Sequence, residues 1–417
     1  MTGRRHHLIQ RRKAVGYTQE QLAEQLGVDR VTVIRWEAGD TEPQPWQWPN
    51  LADALKVSAT ELAALLSERI DVAGTTGGTT PEPVLQGTEL VESPAAILER
   101  VRRPSAAQVS DALLDVVDVF VRDVIDRYEV EGPIVLARQV VRQRQVLHPL
   151  LTSCPPSKRG VRLVRLAGML SGELAYMAVN LGRFQSARAY GIEAFELADQ
   201  VDDNQLRAWV RGTQSFTEYY MGDYNRALEL ALDGLRFAST GPQAVRLMVN
   251  GEARALGKLG RPVDRSVNLA FDLLSNFPPE PGMTPCISFG LYSEARVAAN
   301  AATAYLSLGS TSQVLGHVDH ALRAADASPS IWSRALVRLD AAHALVQSRR
   351  PDLERATTLC REALSVSRNH RVQSIDRRTR DFLVQIRRWA KDPVVANLTN
   401  DTEAWLRENP APHDPAV

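Results

Sequence analysis

Several side chains between residues 17 and 39 have the chemistry needed to bind nucleic acid. Arg30 and Arg35 carry forked guanidinium groups, whose paired N–H donors match the acceptors of a guanine edge or a phosphate. Thr32 adds a hydroxyl and Gln19 an amide, and both groups donate hydrogen bonds to phosphate oxygens. The spacing of Arg30, Thr32 and Arg35 places all three on the outward side of one short predicted helix.

The first of two helices predicted in this stretch begins at a capping box. Thr18 is followed three residues later by Gln21, so each side chain can satisfy a backbone N–H of the other residue. Leu22, Ala23 and Leu26 then form an apolar stripe at helical spacing. Because Ala23 is small, we expect a second helix to cross this one closely.

A glycine-bearing turn connects the two predicted helices. Gly27 suits a backbone with positive φ, and Asp29 can cap the second helix through its side chain. Val33 and Trp36 supply the inward face of that helix. Two short helices joined in this way predict a helix-turn-helix, whose second helix reads the major groove of DNA.

Residues 4–66 resemble the Xre family, the Cro/repressor type of helix-turn-helix regulator. The resemblance implies a bundle of five helices, with the third helix inserted into the major groove. It also implies that Arg30, Val31 and Arg35 face base edges, while Gln19 and Thr32 touch phosphates or adjacent base edges. The predicted DNA-binding residues are Gln19, Asp29, Arg30, Val31, Thr32 and Arg35, together with Arg11 from the basic first helix.

The sequence departs from the family pattern where the fourth helix normally runs. Pro43, Pro45 and Pro49 stand there among Trp46 and Trp48. Because proline is tolerated only in the first turn of a helix, we expect a short fourth helix that starts near Pro49.

Charge alone gives no sign of a nucleic-acid partner. Lysine plus arginine equals aspartate plus glutamate over the whole chain, and residues 1–69 are balanced as well. DNA affinity must then come from where the positive charges lie, and five of them fall in the first helix, at positions 4, 5, 11, 12 and 13. A neutral domain binds weakly as one copy, so we predict a homodimer on an inverted-repeat operator. Glu37 is expected to be a structural partner of an N–H group or an arginine.

With 417 residues, the chain is too long for one core, and its composition changes after residue 69. Residues 70–88 are rich in glycine, threonine and proline and are predicted to be a flexible linker. Residues 89–408 read almost entirely as helix, and the proline-rich residues 409–417 are predicted to be a disordered tail. The predicted fold class is all-α: a small DNA-binding bundle followed by a long helical domain.

A loose repeat runs through the helical domain. A helix ends at Leu-Gly or Met-Gly, an aromatic residue follows the glycine by two positions, and an alanine follows three positions later. The two best copies place their glycines at Gly182 and Gly222, and weaker copies surround Gly260, Gly309 and Ala356. This pattern resembles a tetratricopeptide-repeat α-solenoid, which serves in sensing or dimerisation.

The resemblance places a set of aromatic and polar side chains along the inner helices of the solenoid. A groove lined in this way would suit a short peptide or a small acidic effector. The alternative is that the aromatics are core between repeats and that the arginines only solvate the surface. The two good repeats place Tyr176, Asn180, Trp209, Phe216, Tyr219 and Tyr220 in this groove, and a weaker register adds Asn250, Arg254, Lys258, Arg296, Arg338 and Arg349.

Other chemistries find little support in the sequence. We find no nucleophile elbow, nucleotide-binding glycine motif or zinc-protease motif, so neither an enzyme nor a cofactor is predicted. His317 and His320 share one helix face, but without a third ligand they are better explained as two surface histidines. Three scattered cysteines, no signal peptide and no long apolar stretch predict a soluble, cytoplasmic protein.

The sequence therefore supports two hypotheses. The first is a bacterial, sequence-specific transcription regulator, which resembles Xre-type regulators joined to tetratricopeptide arrays and controlled by small peptides. The second is a non-enzymatic adaptor that uses the solenoid and the small bundle to grip other proteins.

Overall fold

The structure of the protein is a computed structural model that describes residues 5–38, 41, 43–44, 47–57, 59–66, 109–153 and 157–408. Every regular element in these residues is a helix, which confirms the predicted fold class. The chain divides into two compact units, Met1–Glu89 and Leu90–Val417. The predicted linker at 70–88 and the predicted tail at 409–417 lie outside the described residues.

The described residues of the first unit form a bundle of five short helices around one apolar core. Its second helix begins as predicted, because Thr18 Oγ1 accepts from Gln21 N at 3.1 Å and Gln21 Oε1 accepts from Thr18 N at 2.9 Å. Gly27 ends that helix with φ +64°, which also confirms the predicted turn. The helices are α1 (His6–Val15), α2 (Gln19–Leu26), α3 (Arg30–Ala38), α4 (Trp48–Leu55) and α5 (Ala59–Leu66).

The fourth helix is short, as its prolines predict. It begins at Trp48 with Pro49 in its first turn and ends at Leu55 after eight residues. The indole N–H of Trp48 donates to Pro43 O at 3.1 Å, so this half-buried ring holds the preceding segment against the bundle. Trp46 lies outside the described residues.

The second unit is a series of helical hairpins that pack in sequence order, as in an α-solenoid. One long helical stretch consists of α12, a π-helical segment at Leu247–Ala253, and α13. The helices are α6 (Asp111–Glu131), α7 (Pro133–Ser153), α8 (Lys158–Asn180), α9 (Phe184–Gln200), α10 (Asn204–Met221), α11 (Tyr224–Ala238), α12 (Pro242–Arg246), α13 (Arg254–Lys258), α14 (Asp264–Leu274), α15 (Glu294–Ser307), α16 (Thr311–Asp326), α17 (Ile331–Gln347), α18 (Leu353–Val366), α19 (Gln373–Ile386) and α20 (Pro393–Glu408).

Glycines in a left-handed conformation make the turns of four successive hairpins. They are Gly182 with φ +71°, Gly222 with +93°, Gly260 with +68° and Gly309 with +68°. The two weaker sequence copies, at Gly260 and Gly309, therefore mark the same structural position as the two strong ones. A side chain is disfavoured at each site, which explains why glycine recurs there.

The solenoid curls until its first described helix meets a much later one. The rings of Tyr128 on α6 and Trp332 on α17 pack edge-to-face with centroids 4.9 Å apart. Next to them, Glu129 Oε1 lies 3.1 Å from Arg296 Nη2 on α15. The first helices of successive hairpins, which form the inner side of the curl, therefore surround a narrow interior.

Candidate nucleic-acid interface and interior cavity

Helix α3 presents a mixed polar and apolar surface to solvent. Arg30 and Arg35 are exposed, Thr32 is half-buried, and Val31 is 54% exposed. Val33 and Trp36 are buried on the opposite side and pack into the core of the bundle. The predicted orientation of α3 is therefore correct, while contact of these side chains with DNA stays a prediction.

The structure adds Ile34, which the sequence reasoning missed, to this surface. Its side chain is apolar and 37% exposed. Val31 and Ile34 can make apolar contacts, of the kind that recognise a thymine methyl group. Helical periodicity could have predicted this position. Ile34 follows Val31 by three residues and Arg30 by four, so all three side chains lie on the same side of the helix.

A buried ion pair fixes the helices that flank this surface. Arg12 Nε lies 2.5 Å from Glu37 Oε1, and both side chains are almost fully buried. Glu37 Oε2 also accepts from Gln19 Nε2 at 2.6 Å. Glu37 thus has the structural role that the sequence indicated, and it orients the Gln19 amide at the start of α2.

Three arginines of the first helical segment differ from their predicted role beside the phosphate backbone. Arg11 donates from Nε to Leu55 O at 2.8 Å and from Nη2 to Lys56 O at 2.5 Å, at the end of α4. Arg5 Nη1 donates to Trp36 O at 2.9 Å near the end of α3. The last carbonyls of a helix have no partner within it, so these guanidinium groups bind there, and Arg12 binds Glu37.

Asp29 also differs from its prediction as a side-chain cap. It directly precedes α3, but its main-chain carbonyl makes the contact, 2.8 Å from Thr32 N. Its carboxylate is exposed and makes no hydrogen bond within the part of the chain that the structure describes. The side chain therefore remains available for a contact outside the bundle.

A surface depression of about 390 Å³ lies where α1 ends and α2 and α3 begin. It brings Lys13, Gln19 and Arg30 together beside the first turn of α2. The first N–H groups of a helix and nearby cations attract phosphate oxygens. This depression therefore has the chemistry to hold one phosphate of a duplex that lies along α3.

Residues 8–62 match the helix-turn-helix family. The match covers only a small part of the chain but nearly all of the five-helix bundle. It supports the Xre-type resemblance of this unit and points to a DNA-binding domain of the kind found in transcription regulators. No curated protein matches the chain significantly. The tetratricopeptide resemblance of the second unit stays a prediction.

Seven of the predicted groove residues line one cavity inside the solenoid. This cavity measures about 70 Å³, enough for a few water molecules. All seven are buried side chains from the inner helices. The seven residues are Tyr176, Asn180, Phe216, Tyr220, Asn250, Arg254 and Arg296.

These side chains also hold one another. The rings of Tyr176 and Phe216 are stacked with centroids 4.6 Å apart, which joins α8 to α10. Asn180 Nδ2 donates to Tyr128 Oη at 2.8 Å. The aromatics are therefore both the core between hairpins and the wall of the cavity, so the two readings of the sequence are not exclusive.

Three predicted groove residues lie elsewhere. Trp209 is fully buried, and its indole N–H donates to Ser288 O at 2.9 Å, so it belongs to the core. Arg338 binds carboxylates of the outer helices α16 and α18, at 2.7 Å and 2.9 Å. Arg349 is exposed in the turn after α17. The repeat pattern is weak beyond residue 240, so the positions predicted for Arg338 and Arg349 were wrong.

The cavity also contains ionisable residues that the sequence reasoning missed. Burial alone would raise the pKa of Glu129, but the Arg296 guanidinium and hydrogen bonds from Cys286 and Ser330 lower it below its ordinary value. Asp340 and Arg378 form a second pair, with Oδ1 and Nε 2.8 Å apart. Local pattern gave no signal for these residues, because they come from helices far apart in sequence.

Metal and membrane chemistry find no support in the described residues. Within them there is no group of three potential metal ligands, and no helix is long and apolar enough to cross a bilayer. His317 is not the surface histidine that was predicted. It is half-buried with its ring stacked 5.7 Å from both Phe271 and Tyr305, and burial lowers its pKa.

Proposed function

We propose that the protein is a sequence-specific regulator of transcription that reads DNA with the exposed side of α3. The observation that carries this proposal is the placement of Arg30, Val31 and Arg35 on one solvent-facing surface of a helix-turn-helix. The depression at Lys13 and Gln19 beside that surface supplies a phosphate contact. Together they provide base contacts that specify sequence and backbone contacts that position the duplex.

We further propose that the protein binds an inverted repeat as a homodimer and that the solenoid serves dimerisation, effector binding or both. Since Arg5, Arg11 and Arg12 bind groups within the bundle, few cations of one domain remain for phosphates. Affinity for DNA rises with the number of phosphates neutralised, so two domains on two half-sites would bind far more tightly than one.

The test begins with selection of bound sequences from a random duplex library by the full-length chain. The affinity for the selected duplex is then measured over a range of salt concentrations. A regulator of this kind should give an inverted repeat, and log Kobs should fall linearly with log salt because phosphate contacts release counterions. An adaptor that grips proteins would enrich no sequence.

A matched pair of variants locates the reading surface. Arg30→Ala combined with Arg35→Ala should abolish the preference for the selected sequence. Arg265→Ala, an exposed arginine of the second unit, should leave this preference unchanged. Retained preference in the double variant, with its helical content intact, would show that α3 does not read the DNA.

A further inference from the structure

A second, larger cavity adjoins the small one inside the solenoid. It measures about 450 Å³ and lies among α10, α13, α15, α17 and α19. Arg254 and Arg378 contribute to the walls of both cavities. A volume of this size falls in the range of sites for small molecules and is too small for an extended peptide of several residues.

The charges around this cavity are unbalanced. Its walls contain Arg254, Lys258, Arg377 and Arg378, but the only carboxylate among the described wall residues is Asp381. Arg378 forms an ion pair with Asp340 of the adjoining cavity. The other three cations have no carboxylate within ion-pair distance in the described part of the chain.

Arg254 is a buried cation without a carboxylate partner among the described residues. Its side chain is 4% exposed, and its closest contact is with a neutral group, from Nη1 to Asn250 Oδ1 at 2.5 Å. Its Nε has no acceptor among the described residues, and its guanidinium lies 4.3 Å from the centre of the Tyr219 ring. A buried charge without a counter-charge is costly, and a bound anion would remove this cost.

Arg377 is held in a similar way by neutral partners. Its Nη1 donates to Tyr220 O at 2.7 Å and its Nη2 donates to Tyr224 Oη at 2.9 Å. These contacts fix the guanidinium at the wall without neutralising it. Burial alone would raise the pKa of Tyr219, yet the positive charges of Arg254, Lys258 and Arg378 lower it. The cavity therefore has a positive potential.

We propose that this cavity binds a small anion with at least two negative charges, borne by phosphate or carboxylate groups, through Arg254, Lys258 and Arg377. The proposal deepens the effector role proposed for the solenoid and rests on it. The tyrosine rings flank the anion and restrict its size. Because binding is tested without DNA, a negative result would leave the DNA-binding proposal intact.

The first experiment is calorimetric titration of the full-length chain with inorganic pyrophosphate and, separately, with citrate. Sodium chloride keeps the ionic strength constant. Saturable binding of pyrophosphate alone would identify a phosphorylated ligand, binding of citrate alone a carboxylate ligand, and binding of both recognition of charge in general. The absence of saturable binding of either probe at millimolar concentration would overturn the proposal.

Two variants place the anion in the cavity. Lys258→Gln and Arg377→Gln should each weaken binding about tenfold or more, because each removes a charge-assisted contact. Arg265→Gln removes the same charge from an exposed position outside the cavity and should bind as the parent does. Lys258 is itself exposed, so its replacement tests the cavity without risk to the fold. Unchanged affinity in both cavity variants would mean that the probe binds elsewhere and would overturn the proposal.

Discussion

Arg12 and Glu37 form an ion pair inside the DNA-binding bundle, with Nε and Oε1 2.5 Å apart, although 25 positions separate them in sequence. Arg12 lies on α1 and Glu37 near the end of α3, so the pair joins the first helix to the third. Because Glu37 also binds the Gln19 amide, the same contact orients the start of α2. The position of the surface that we propose to read DNA thus depends on a buried charge pair.

Removal of one member of this pair should destabilise the bundle strongly. We expect Glu37→Ala to lower the free energy of unfolding of this unit by about 3–5 kcal/mol, since Arg12 would remain as an uncompensated buried charge. The double variant Arg12→Met with Glu37→Leu should recover most of this loss. Calorimetry of the full-length chain, followed through the unfolding of the first unit, measures both. A loss below about 1 kcal/mol in the single variant would contradict the role assigned to the pair.

The base-reading and backbone-binding residues should differ in how they affect DNA affinity. Arg30→Ala and Arg35→Ala should each relax preference at one or two base positions and cost about 1–3 kcal/mol at the preferred base. Lys13→Ala should lower the affinity for all duplexes by the same factor. It should also reduce the dependence of this affinity on salt, as loss of a phosphate contact does. Affinities for a panel of single-base variants of the selected duplex separate the two effects. A uniform loss for both arginine variants would remove them from base recognition.

Arg11→Ala should act mainly on stability. The Arg11 guanidinium binds the carbonyls of Leu55 and Lys56, so its loss leaves the end of α4 without two donors. We expect the unfolding free energy of the bundle to fall by about 1–3 kcal/mol. Chemical unfolding of the full-length chain, read from the first unit, provides the measurement. Undiminished stability with uniformly weaker DNA binding would instead support the phosphate contact predicted from sequence.

Two helical glycines should respond in opposite directions to alanine. A Cβ at Gly257 on α13 would lie 2.6 Å from the backbone oxygen of Ala304 on α15, so the two helices would have to separate. We expect Gly257→Ala to cost about 1–3 kcal/mol. Nothing lies within 4 Å of a Cβ at Gly316 on α16, so Gly316→Ala should stabilise by about 0.5–1 kcal/mol. Thermal unfolding of the second unit measures the stability change in each variant. Equal changes in the two variants would contradict the close approach of Gly257 to the backbone oxygen of Ala304.

Glu173 should make the stability of the solenoid depend on pH. It is fully buried, neither carboxylate oxygen has a hydrogen-bond partner among the described residues, and burial raises its pKa well above the ordinary 4.5. Above pH 4.5 the unfolded chain has released this proton while the folded chain retains it. Stability contributed by this group therefore falls as pH rises, by at most about 1.4 kcal/mol per pH unit.

The neutral variant Glu173→Gln isolates this contribution. It cannot titrate, so its stability relative to the parent chain should increase between pH 4.5 and pH 7.5, while all other groups cancel in the comparison. Urea unfolding at several pH values gives the difference. A difference that is independent of pH would show that Glu173 ionises in the folded chain.

The sequence by itself determined the features that depend on a few neighbouring residues. The cap at Thr18, the turn at Gly27, the short helix at Pro49 and the hairpin turns at Gly182 and Gly222 were all predictable. In each case a side chain or its absence controls the backbone within one helical turn. The inward and outward sides of α3 followed from periodicity for the same reason.

Only the tertiary structure decided which residues of distant helices meet. Arg11 and Arg12 were predicted to lie beside the phosphate backbone, yet each binds a partner on another helix, because unpaired carbonyls and carboxylates inside a bundle attract the nearest donors. In the solenoid, Glu129 reaches Arg296 across 167 positions. That contact depends on small angles between successive hairpins that accumulate along the array. No single repeat encodes their sum, so the interior cavities and their excess of positive charge emerged only from the folded chain.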